Sequence, residues 1–337
     1  MISFILRRLA QFLVTLLVAS FLLFAVTEFS PGNVASKILG PYAVQSQVDL
    51  LYDKLDLGAP LLERYGQWLG TLLGLSENRL GDPAIGLGLD DPRGVRYFGN
   101  LGYSLMLKEP VVDVLAQRIG HTVALAGWAI GFIVPISLVL GVMSGINAGR
   151  PLDRGISGVT VALTSLPEFV TAVVLLLLFS AVLGWLPGTS TLTQGDRWSG
   201  ASQMVLPVSV LVIASASYVT RIVRASVADT LKRPFVRTAR LKGLAPQRVI
   251  LQHVLRNALI APLTVILLQV NWILTGVVVV EAIFAYPGIG SLLLKAALFG
   301  DIYVVQALTL LALAVAVGTQ FVGDVAYMLL DPKIRLR

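Results

Sequence analysis

Two acidic residues fall inside otherwise apolar runs, where a charge costs about 2.5–3.5 kcal/mol on insertion scales. Glu168 stands in Ser165-Leu166-Pro167-Glu168-Phe169 and Glu281 in Val278-Val279-Val280-Glu281-Ala282. Such a carboxylate attracts a cationic group, for instance a peptide amine or a metal complex, or else serves as a structural glutamate bonded to a neighbouring helix. For Glu168 both readings stand open. Glu281 precedes the turn residues Tyr286-Pro287-Gly288; it reads first as a structural or gating contact and second as a substrate contact. Asp324 lies at the inner end of the last apolar run, where solvated headgroups serve it. His121 and His253 have no His, Asp or Glu four residues away, so they read as interfacial residues rather than metal ligands. Gly155-Ile156-Ser157-Gly158 follows no strand and has no base in view, so it is no nucleophile elbow. The chain has no cysteine, which removes thiolate chemistry and disulfides. Every lysine follows Ser, Asp, Leu or Pro, so no phosphate-cradling Gly-Lys loop exists. No cofactor is expected.

The elements that carry these residues are set by composition. Of 337 residues 56% are hydrophobic and 13% charged, against about 25% charged in soluble domains. This excludes a water-soluble enzyme, a disordered chain and a fibre, and points to an all-α, polytopic membrane protein. Six charge-free windows can span a bilayer: Leu9 to Thr27, Ile119 to Gly149, Phe169 to Gly195, Trp198 to Thr220, Asn257 to Val280 and Ile302 to Gly323. The third is expected to begin near Gly155 and to include Glu168. On a continuous helix Glu168 would lie about 14 residues, or roughly 21 Å, beyond Arg154, with Pro167 bending the helix. Lipid offers no partner to backbone amides, so the windows must be helices. The first resembles a signal peptide in its Arg7-Arg8 start, but its apolar run exceeds an h-region, and an uncleaved helix is the preferred reading.

The net charge of +7 follows from topology and implies no nucleic-acid partner. With the N-terminus inside, the cytoplasmic loops collect Arg150, Arg154 and the basic run Arg221 to Arg256, while short outer loops hold little more than Arg197 and Lys295. Both termini are then cytoplasmic. The expected organisation is a first transmembrane helix over 1–30, an external excursion over 31–116, a five-helix core over 117–331 and a tail over 332–337. In the excursion Leu61 to Leu69 has helical apolar spacing, Gly81 to Gly102 reads as loop, and Trp68 and Tyr103 suit a membrane interface. A solvated loop and a docking surface are equally open for it.

The cytoplasmic loop over 226–256 is the most informative stretch. Phe235, Ala239 and Leu241 recur at helical spacing, Gly243 breaks the helix, and Pro246 opens a second helix with Val249, Ile250, Val254 and Leu255. A short helix, a glycine turn and a helix entering the fifth span are expected. Its cations suit either another protein or anionic lipid.

This loop resembles the coupling loop, or EAA-like motif, of ABC importer permeases, in the form found in the dipeptide/oligopeptide/nickel family. The resemblance extends over nearly the whole chain. ISFILRRLAQFLVTLLVASFLLFAVTEFSPGN, LDLGAPLLERYGQWL, NLGYSLMLKEPVVDVLAQRIGHT, VVVEAIFAYPGIGSLL and DPKIRLR each resemble family segments, with Asn33 where Asp is usual. Arg237 stands in the slot of the general motif's Glu, and Ser76 to Asn100 is longer than the family pattern. The resemblance implies a type I importer permease with six transmembrane helices in the cell inner membrane. It further implies a second homologous permease subunit, two cytosolic ATP-binding subunits and an extracytoplasmic solute-binding protein. Phe235, Arg237, Thr238, Ala239 and Gly243 are the expected ATPase-coupling residues, and Glu168 and Glu281 the candidate pathway residues. An ion-gradient-driven secondary transporter is the alternative; an intramembrane hydrolase lacks a Ser–His or paired-Asp arrangement.

Overall fold

Helices dominate because the apolar windows must bond their own backbone. A computed structural model of the chain describes residues 2–29, 34–39, 43–78, 91, 93–94, 96–190 and 200–330. Pro31 to Asn33, Gly81 to Asp90, Arg197 and residues 332–337 lie outside the described residues.

Four described helices have spans long and apolar enough to cross a membrane: α1 (Ile2–Glu28), α5 (Val111–Ile146), α8 (Gly200–Leu231) and α14 (Ile302–Leu330). Two more crossings arise only if bent pairs are counted as one each. Helix α6 (Pro151–Thr164) meets α7 (Glu168–Leu175), continued by a π-helical turn Leu176–Val182, at a 99° bend. Pro246–Ala258 meets α12 (Ile260–Ile283) at 52°. The straight-helix placement of Glu168 is therefore corrected. Pro167 does more than bend the helix: Ser165–Pro167 leave it, and Glu168 starts a new one. Distance along a continuous axis no longer gives its depth.

The described residues form two units. One takes the described residues within 2–8, 121–287 and 318–330, and the other those within 9–120 and 288–317. In the first, α8 packs against α6, α7 and α12, burying Leu206, Leu211, Val219, Val223 and Val227 with Leu125, Ile133, Ile273, Val277 and Phe284. Gly141 and Gly145 lie one turn apart on α5. A Cβ on Gly141 would meet Val223 Cβ at 2.5 Å and the Thr220 carbonyl at 2.9 Å; on Gly145 it would meet Val227 Cβ at 2.7 Å and the Arg224 carbonyl at 2.9 Å. Only glycine lets α5 approach the α8 backbone this closely.

In the second unit, α2 (Val34–Leu39) and α3 (Gln45–Lys54) bury Ala35, Val48, Leu51 and Leu55. Helix α4 (Leu61–Leu72) packs aromatically on α1. The Tyr65 ring meets Phe21 edge-on at 5.2 Å and stacks on Trp68 at 5.9 Å. The Tyr65 hydroxyl shares a 2.8 Å hydrogen bond with Ser20, and Arg64 pairs with Glu28. A hairpin of β1 (Tyr103–Ser104) and β2 (Glu109–Pro110) is fastened to the turn between α13 (Ile289–Phe299) and α14. Buried Asp301 accepts hydrogen bonds from Ser104 Oγ (2.7 Å) and Met106 N–H (3.1 Å). Tyr103 is correspondingly buried, its hydroxyl donating to the Lys108 carbonyl at 2.6 Å, so it is a core residue rather than an interface anchor. Arg93 bridges Asp91 and Asp113 and lies over the Tyr97 ring at 4.8 Å. Burial pushes the Asp91 carboxyl up, but hydrogen bonds from Arg93 and Tyr97 outweigh it and hold the group below the usual carboxylate range.

Candidate functional site

Helix α8 ends at Leu231, and Pro234, at the first helical position, starts α9 (Pro234–Leu241). Only two of its side chains, Val236 and Ala239, are buried. Spaced by three, they share one face and join the core that holds Val249 and Val254. The rest of the helix is bare. Phe235 is 39% exposed and Leu241 79%; Arg237, Thr238 and Arg240 are exposed as well. The helix is thus tied to its own chain along one stripe and presents apolar and basic groups along the other.

The turn after α9 needs glycine for conformation, not for space. Lys242 N–H bonds the Thr238 carbonyl and Gly243 N–H the Arg240 carbonyl, each at 3.0 Å, and Gly243 has φ +75°. A Cβ there would meet nothing within 4 Å. Gly243→Ala is therefore expected to destabilise the loop by about 1–2 kcal/mol through the left-handed penalty alone, and Gly243→Asn by less. Limited proteolysis of the 240–246 turn measures this. The chain then enters α10 (Pro246–Arg248), a π-helical turn Val249–Leu255, α11 (Arg256–Ala258) and α12. The expected short helix, glycine turn and second helix are all present, though the second is π-wound and offset from α12. Ser226 Oγ donates to the Ala258 carbonyl and holds this segment to α8.

Of the five expected coupling residues, Phe235, Arg237, Thr238 and Gly243 are exposed. Ala239 is not: it is 5% exposed and packs inward. Its small side chain seats the helix on its own chain.

The two acids have separate fates. Glu281 is fully buried and accepts a 2.6 Å hydrogen bond from Thr122 Oγ1. Its own carbonyl accepts from Tyr286 N–H at 2.9 Å, and the Tyr286 hydroxyl reaches the His121 carbonyl at 2.8 Å. Ala285 between them has φ +52°. Glu281 and Tyr286 thus tie the turn after α12 to the Thr122 and His121 stretch of α5. Glu168 is half-buried as the first residue of α7, with Oε1 buried and lacking a hydrogen-bond partner among the described residues.

A third charged cluster lies at the beginning of α6. Asp153 is 2% exposed. Arg224 of α8 grips it with Nε at 2.9 Å and an Nη at 2.7 Å. Gly149 N–H donates to it at 2.7 Å, and Ser144 and Ser157 hydroxyls add two more bonds. One carboxylate thus joins the end of α5, the start of α6 and the Arg224 turn of α8, ten residues before Pro234 starts α9.

Comparison with known proteins fits this arrangement. Residues 137–336 match the family described as binding-protein-dependent transport system inner membrane component, and residues 1–126 match its N-terminal family. The chain belongs to this permease family. The permease is 30% identical over 336 residues to a putative peptide transport system permease protein of Brucella abortus, with 99% of each chain covered. It is 32% identical over 357 residues to the di/tripeptide transport system permease protein DppB of Pseudomonas aeruginosa, again with 99% of each covered. It is 30% identical over 337 residues to the glutathione transport system permease protein GsiC of Escherichia coli, over the full length of both. Among solved structures it resembles a chain of the MetNI methionine ABC transporter in inward-facing conformations. That match has TM-score 0.55 at 18% identity and covers 66% of this chain and 99% of the other; it is a likeness of fold.

Two residues of the permease escape sequence reasoning. Val236 is the main anchor of α9, yet it sits between Phe235 and Arg237 in a short segment where two residues suffice to bury a face. Asp153 follows a Pro151 start and suits an N-terminal turn, but its partner Arg224 is 71 positions away, and no local pattern pairs them.

Proposed function

We propose that the chain is one of two related permease subunits of an ATP-driven importer of di- and oligopeptides or similar small solutes. It lies in the inner membrane with both termini cytosolic. ATP-binding subunits grip it through α9, and an extracytoplasmic solute-binding protein delivers the solute. The observation that carries this reading is the bare stripe of α9, with Phe235, Arg237, Thr238 and Leu241 exposed on a helix fixed from behind by Val236 and Ala239. A helix so anchored moves as a lever with the ends of α8 and α12. Reversing a 1:99 population of two access states takes about 5.5 kcal/mol; a chain with no Gly-Lys phosphate loop takes that from a partner. The peptide class rests on relatives whose names specify peptide, di/tripeptide and glutathione transport. Within the pathway Glu168 is the candidate contact for a substrate ammonium, and Glu281 is structural.

A second reading, an ion-driven transporter, is favoured by one observation: the discontinuous helix at 165–167 beside Glu168. Uptake of a radiolabelled dipeptide into proteoliposomes holding the full complex separates the two. ATP with binding protein is expected to drive accumulation in the absence of any ion gradient. Accumulation driven by a proton or sodium gradient without ATP would establish the second reading instead.

A further inference from the structure

The second unit contains a cavity of about 560 Å³ between the outer end of α1, α4, residues 75–78, residues 96–102 and the start of α14. That is within the roughly 300–1,000 Å³ of small-molecule sites. Its lining is amphoteric. Arg64 and Glu28 neutralise each other, but Arg96 and Glu77 do not. Arg96 spends only Nε, on the Gly74 carbonyl at 3.0 Å, which leaves its two terminal amines free among the described residues. Glu77 lines the same cavity, and its carboxylate has no partner among them. Gln67, half-buried, has a side-chain amide equally uncommitted. Trp68 and Tyr303 supply aromatic wall, and Gly102 lies so close to the Tyr303 ring that a Cβ would meet it at 2.7 Å, which fixes that wall in place. Unspent opposite charges that share a cavity without pairing suit a ligand that carries both signs itself.

We propose that this cavity is a receiving subsite for a short zwitterionic peptide. Arg96 holds the carboxylate through its planar pair of amines, Glu77 the ammonium, Gln67 the peptide group, and Trp68 with Tyr303 the side chain. The proposal rests on the peptide-importer reading, which places this unit on the side from which substrate arrives.

The test is photolabelling of the full complex in lipid nanodiscs with alanyl-(4-benzoylphenylalanine), followed by peptide mapping. Labelling is expected within residues 67–78, 96–102 or 302–306. It is expected to fall at least tenfold for the N-acetylated, C-amidated peptide, and about fivefold or more in Arg96→Gln and in Glu77→Gln. Both substituted positions are exposed, so folding is spared. Labelling confined to other segments, or equal labelling by the blocked peptide, overturns the subsite. If the same complex still imports dipeptide on ATP while the cavity stays unlabelled, the subsite falls and the transport reading stands. If the cavity is labelled in a complex that imports no peptide, the subsite stands and the transport reading falls.

Discussion

Asp153→Ala is expected to be among the most destabilising single substitutions in the permease. The carboxylate is buried, and five donors converge on it from Arg224, Ser144, Gly149 and Ser157. Removing it leaves a guanidinium 36% exposed, and the buried Ser144 hydroxyl, the Ser157 hydroxyl and the Gly149 N–H without their acceptor. Breaking a buried pair by deleting one partner costs about 3–5 kcal/mol; the partial exposure of Arg224 puts this case near the low end, about 3 kcal/mol. Asp153→Leu combined with Arg224→Met removes both charges and is expected to recover part of the loss, the serine hydroxyls and Gly149 N–H remaining unserved. Thermal unfolding of the detergent-solubilised complex, followed by tryptophan fluorescence, measures both. An Asp153→Ala protein that unfolds with the unsubstituted one would show that the three helix ends are held by packing alone.

Phe235→Asp is expected to act oppositely: no loss of folding, a large loss of transport. The side chain is outside the chain's own core, so stability should change by less than about 0.5 kcal/mol. At an interface, an aromatic anchor contributes about 2 kcal/mol or more, roughly 30-fold in affinity, and a carboxylate in its place adds desolvation cost. ATP-driven uptake is expected to fall at least tenfold while the thermal midpoint is unchanged. Val236→Asp places the same charge on the inward stripe and is expected to damage folding itself. The contrast between adjacent positions separates the docking face from the anchoring face. Equal effects of the two substitutions would contradict the division.

The sequence reveals most of the architecture because the bilayer imposes it. Charge-free length suffices to find α1, α5, α8, α12 and α14, and Pro234, Gly243 and Pro246 punctuate the 232–247 segment by backbone geometry alone. What escapes is whatever depends on distant partners or on a winding that composition does not encode. Glu281 becomes structural only through Thr122, 159 positions away. The bend at Pro167 is legible as a proline in an apolar run, but its 99° angle arises from packing of α7 on α8 and α12. Both π-helical turns occur in sequences that read as ordinary helix, since an i to i+5 ladder needs no special residue. The spacing of Gly141 and Gly145 is plain, yet only the α8 backbone at 2.9 Å explains why nothing larger fits.

The absence of native cysteine makes site-specific crosslinking the most direct test of the central claim that α9 is a handle for a separate ATPase. Thr238→Cys, on the exposed stripe, is placed in the assembled complex and treated with a short bifunctional maleimide, against a library of single cysteines on each partner subunit. The expected result is a crosslink to an ATP-binding subunit, with labelling of the cysteine by an impermeant maleimide only from the cytosolic side. A crosslink to the solute-binding protein, or labelling from the outer face, would contradict the account.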